Sequence, residues 1–104
     1  MKLQEKTITE ILRILKLNPK VNDVILFGSR AKGTEKQGSD IDLALVGEDI
    51  QFRDICQLAN NLEDLDLPYK IDLVVYDSSL SSELKSHIDR VGVSLENILS
   101  PKTQ

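Results

Sequence analysis

This 104-residue chain has one cysteine, one histidine, no tryptophan, two tyrosines and two phenylalanines. A single cysteine, Cys56, excludes an intrachain disulfide and fits a reducing, cytoplasmic compartment; on a helix it reads as a small buried apolar residue. A single histidine, His87, has no His or Cys partner for a metal site and reads as a helix-surface residue. No apolar run is long enough for a membrane span, and Met1-Lys2 is not followed by the apolar core of a signal peptide. Basic charge is scarce too: 13 Lys and Arg against 17 Asp and Glu give a formal charge of −4. Affinity for duplex nucleic acid comes mostly from Lys and Arg displacing counterions, so this balance argues against general nucleic-acid binding and points to a small polyanion. There is no internal repeat, linker or low-complexity tract.

What remains is ordinary for a folded domain, with 40% apolar and 29% charged residues. The length suits one domain, 1–104, with its core over about 8–95 and a frayed tail at 100–104. Thr7 and Glu10 form the S/T-x-x-E pattern of a capping box, and Ile8, Ile11, Leu12 and Leu15 follow at helical spacing. A β run at about 24–27 precedes a Gly-Ser turn, and a second at 41–46 ends at Gly47-Glu48-Asp49. The next helix, about 50–65, presents Phe52, Ile55, Cys56, Ala59 and Leu62 on one face. A third β run, 69–76, is bounded by Pro68 and by Asp77-Ser78-Ser79. A helix over 81–91 carries Leu84, Ile88 and Val91, Gly92 stops it, and 93–95 are extended.

The chemistry concentrates in 28–43. Gly28-Ser29, at the end of an apolar strand, can bring backbone N–H groups and a hydroxyl to phosphate oxygens. Asp40-Ile41-Asp42 enters the next strand, where residues two apart share a face, so both carboxylates point the same way. Two anions side by side repel, and a cation between them removes the conflict. Hard oxygen donors suit Mg²⁺ or Mn²⁺. Asp72, near the start of the third β run, offers another carboxylate, and three such groups can hold two metals. Asp42 and Asp72 lie inside apolar β runs, where an unpaired carboxylate is costly; Asp40, in a Gly-Ser-Asp setting, also suits a plain turn. Arg30 and Lys32 suit either phosphate oxygens or a solvated edge, and Tyr69 and Tyr76 either packing or a nucleotide base.

These positions also constrain topology. For Ser29 and Asp40 to line one site, the first two strands must run antiparallel. Asp72 near the start of its strand makes the third parallel to the second, with the 50–65 helix as the crossover. A mixed sheet packed with helices, an α/β (α+β) fold, is expected.

Gly28-Ser29, the ten residues 30–39, Asp40-Ile41-Asp42 and the later Asp72 resemble, position by position, the pattern of the minimal nucleotidyltransferases of the DNA polymerase β superfamily. The resemblance spans about residues 8–95. It implies a polymerase β-like fold and Mg²⁺-dependent transfer of AMP from ATP, with two ions held by Asp40, Asp42 and Asp72. Gly28, Ser29 and Arg30 would bind the nucleotide, and Asp72 could act as base for the acceptor hydroxyl. Minimal members accompany a small helical HEPN-domain toxin, so the resemblance also implies an antitoxin in a hetero-oligomer that adenylylates this partner on a hydroxyl, expected on a tyrosine. Two other readings stay open: an antitoxin acting by contact alone, and a transferase for a small aminoglycoside-like acceptor.

Overall fold

Apolar side chains alternate along three strands, and helices take up both faces of the resulting sheet. The computed structural model describes residues 4–27 and 41–99. In chain order these form α1 (Glu5–Leu15), β1 (Val21–Phe27), β2 (Ile41–Gly47), α2 (Phe52–Glu63), β3 (Ile71–Val75), α3 (Ser82–Val91), β4 (Val93–Ser94) and α4 (Leu95–Leu99). The sheet order is β3-β2-β1-β4. As the strand arithmetic requires, β1 and β2 are antiparallel, β2 and β3 are parallel, and α2 makes the crossover. The extended 93–95 segment becomes the two-residue β4, antiparallel to β1.

The two sheet faces bury different partners. Val24, Leu26, Ile41, Leu43 and Leu45 point to one face and pack with Ile8, Ile11 and Leu15 of α1, Leu58 and Leu62 of α2, and Leu95 of α4. Phe27 and Ala44 point to the other face, where Ile88 of α3 closes over them. Burying this much apolar surface is the main stabilising term.

Several details depart from the sequence expectation. Helix α1 starts two residues before Thr7: its N-cap is Gln4, without a side-chain cap, and the Ile8 N–H donates to the Gln4 carbonyl at 3.1 Å. Thr7 is therefore already helical and cannot take the extended backbone an N-cap needs. Strand β1 begins at Val21, three residues early, because Val21 pairs with Gly47 across a register shift. Helix α2 is rotated from the expected face. Gln51 and Asp54 form a reciprocal capping box that makes Phe52 the first helical residue, and Leu58 and Leu62 carry the buried stripe. Phe52 is 81% exposed and Cys56 is exposed as well. The thiol is thus a surface group, not core filling. The expected tail at 100–104 lies outside the described residues.

Candidate active site

Side-chain alternation places Asp42 on the face that carries Phe27 and Ala44, opposite to its neighbours Ile41 and Leu43. Parallel pairing then brings Asp72 beside it. Asp42 and Asp72 are direct Cα partners in the β2–β3 ladder, and both are half-buried. Directly opposite pairs on one sheet face hold their Cβ atoms about 5 Å apart. The ladder fixes this register from both ends: the Ile41 N–H donates to the Lys70 carbonyl at 2.8 Å, and the Tyr76 N–H to the Leu45 carbonyl at 2.9 Å.

On the other side, Asp42 pairs with Phe27, the last residue of β1. A row of three therefore runs across the sheet, Phe27–Asp42–Asp72, with the apolar ring at one end and the carboxylates at the other. The Phe27 ring is held from above by His87 of α3, whose imidazole meets it edge-on with ring centroids 6.2 Å apart and planes at 80°. His87 is thus half-buried over the sheet instead of on the open helix surface. The signal was present in the sequence: Leu84, His87, Ile88 and Val91 stand at i, i+3, i+4 and i+7, and the histidine occupies one position of the apolar stripe.

Helix α3 is positioned by local chemistry. The Ser81 hydroxyl caps it, accepting from the Leu84 N–H at 3.1 Å. At the far end of β3, the Tyr76 hydroxyl donates to Asp89 at 2.7 Å, and the Lys85 ammonium sits 5.8 Å from the Tyr76 ring centre. The Asp89 carboxylate accepts this hydrogen bond and so keeps the proton on the phenol, and the Tyr76 pKa is raised. Tyr76 shares the face of Asp72 but is tied to α3, so packing is its role here. Tyr69 packs against the opposite core.

Of the site residues expected from the sequence, Asp42 and Asp72 are brought together. Gly28, Ser29, Arg30 and Asp40 lie outside the described residues. They are the chain neighbours of the row: Gly28 follows Phe27 and Asp40 precedes Ile41. Two carboxylates in register form a hard anionic oxygen donor set, which fits a divalent cation such as Mg²⁺. Among the described residues there is no group of three His, Cys, Asp or Glu, so any third ligand must come from elsewhere. No described helix is long and apolar enough to cross a membrane.

The chain is similar to known proteins over most of its length. The family described as Polymerase beta, Nucleotidyltransferase matches residues 9–98. A Methanocaldococcus jannaschii chain named a protein adenylyltransferase is 38% identical over 87 residues, covering 79% of this chain and 88% of that one. The Haemophilus influenzae protein adenylyltransferase MntA is 34% identical over 71 residues, 67% of this chain and 61% of its own length. A crystal structure of a toxin–antitoxin with AMP-PNP superposes at a TM-score of 0.69 and 34% identity, covering 89% of this chain and 73% of that one. The complex of tri-AMPylated Shewanella oneidensis HEPN toxin with MNT antitoxin gives a TM-score of 0.69 at 29% identity, covering 89% and 71%. The profile match over most of the chain, these identities and the mixed four-stranded sheet converge: the chain belongs to the polymerase β nucleotidyltransferase family.

Proposed function

We propose that this chain is a Mg²⁺-dependent nucleotidyltransferase that moves AMP from ATP to a hydroxyl, on a tyrosine, of a HEPN-domain partner, and so acts as its cytoplasmic antitoxin. The observation that carries the reading is the in-register pair Asp42–Asp72 beside the end of β1, where the Gly-Ser pattern begins. A protein acceptor and an adenylyl donor are supported by the relatives, which include named protein adenylyltransferases and a HEPN complex that is itself AMPylated.

In this reading Gly28 and Ser29 bind the β- and γ-phosphates through backbone N–H groups and the Ser29 hydroxyl, and Arg30 adds a cation to the same phosphates. Asp40, Asp42 and Asp72 hold Mg²⁺, for which Mn²⁺ can substitute. A divalent cation held there would supply neutralisation of the triphosphate charge and a lower pKa for the acceptor hydroxyl. Asp72 orients that hydroxyl and receives its proton. The acceptor oxygen forms a bond to the α-phosphorus, and the bond from that phosphorus to the bridging oxygen breaks. Pyrophosphate leaves with the electron pair. Positioning and electrostatics supply the rate. A phosphodiester placed near a ribonuclease motif adds negative charge that opposes RNA binding, which accounts for neutralisation.

The test is the intact mass of a HEPN-domain partner after incubation with this chain, ATP and Mg²⁺. One or more added AMP units, absent with Asp42→Asn, is the expected result. A stable complex without added mass would replace this reading with neutralisation by contact alone.

A further inference from the structure

β3 is an edge strand of the sheet. The Lys70 carbonyl and the Tyr76 N–H bond to β2, and the alternation of a parallel ladder turns the Asp72 and Val74 backbone groups the same way. The N–H and C=O groups of Ile71, Leu73 and Val75 therefore face away from β2, and no described strand pairs with them. Edge strands of this kind are normally blunted by proline, lysine, a bulge or an inward charge. Within Ile71–Val75 the only such feature is Asp72. A guard carboxylate has no need of a second one in register on the interior strand, yet Asp42 stands there. The charge on this edge belongs to the site, and the edge itself is left able to pair.

We infer that the β3 edge receives an extended segment of the acceptor protein as a fifth strand, and that this pairing delivers the acceptor hydroxyl. The inference rests on the reading above that the acceptor is a protein. The geometry favours it because Asp72 is the outermost member of the row Phe27–Asp42–Asp72. A strand added at β3 places its next residue in that same row, with its side chain on the site face, about 5 Å from the Asp72 Cβ. A Ser, Thr or Tyr there brings its hydroxyl to the carboxylate that takes its proton. Backbone bonds to Ile71, Leu73 and Val75 read no side chains, so they supply affinity, while the residue beside Asp72 selects the acceptor.

The experiment is amide hydrogen exchange on the ¹⁵N-labelled chain, free and in complex with a HEPN-domain partner whose modification is followed by intact mass in the same sample. The Leu73 and Val75 amides should be slowed at least about tenfold in the complex, whereas those of Val74 and Tyr76, already bonded to β2, change little. A second arm uses Val75→Pro, which removes one outward donor at a position where edge strands tolerate proline, with Val75→Thr as control. Val75→Pro should cut AMP transfer to the partner at least about tenfold while leaving slow transfer to water, read as AMP and pyrophosphate release, within about twofold. A partner that is modified while Leu73 and Val75 exchange as in the free chain overturns the strand-addition proposal and leaves the enzyme reading intact. A partner that binds without ever being modified overturns the enzyme reading, and the exchange data then report the edge independently. AMP delivered only to small hydroxyl compounds overturns both.

Discussion

Leu58 is 2% exposed and Phe52 81% exposed on the same helix, so their truncations should differ sharply. Leu58→Ala should cost about 2–5 kcal/mol in denaturant unfolding, and Phe52→Ala should stay within about 0.5 kcal/mol. The apolar period of α2 points to Phe52 and Cys56 and passes over Leu58, because two overlapping stripes share Ile55 and Leu62. The capping box at Gln51 and Asp54 decided between them, and a glutamine N-cap gives a weak sequence signal. Gly47 is a second sensitive position: a Cβ there would overlap the Lys20 carbonyl oxygen where β2 meets the turn before β1. Gly47→Ala should destabilise by about 1–3 kcal/mol, read as a lower denaturant midpoint with an unchanged slope. The carboxylate residues themselves were legible, since Asp42 and Asp72 interrupt apolar β runs. So was their sharing of one site on parallel strands; their direct pairing in the ladder was not, because register depends on which carbonyl each amide meets.

At the scale of elements, one polar cluster ties the turn before β1 to the start of α2. Asp54 accepts from the Gln51 N–H at 2.8 Å, from the Lys20 ammonium at 2.9 Å and from the Asn18 amide at 3.2 Å. The Gln51 bond, followed by the Lys20 contact, lowers its pKa from 3.8 to about 2. Between these values the unfolded chain binds the proton and the folded one does not. The stabilisation is therefore complete above pH 3.8 and is lost as pH falls toward 2. Thermal midpoints should show wild type ahead of Asp54→Asn at pH 5, with the gap closing toward pH 2. Strand directions and the crossover helix were legible because a site shared by the end of one strand and the start of the next admits one arrangement. The ends of α1 and β1 were not, since a backbone bond to Gln4 and pairing with Gly47 set them.

Across the whole molecule the sheet divides its labour. One face, packed by α1, α2 and α4, holds most of the core, and α3 supplies the cover on the other, where the carboxylates sit. In the proposed reading stability and chemistry are thus carried on opposite faces, and changes to the carboxylates should spare the fold. Asp72→Asn, half-buried on the site face, should unfold within about 0.5 kcal/mol of wild type. The direct test of the account is AMP transfer from ATP labelled at the α-phosphorus, measured side by side for wild type, Asp42→Asn and Asp72→Asn with the HEPN-domain partner and Mg²⁺. Both variants should lose at least about a hundredfold in rate while keeping the wild-type unfolding midpoint. Transfer by folded Asp72→Asn at a rate within twofold of wild type would contradict the account, because the in-register pair would then be incidental to the chemistry.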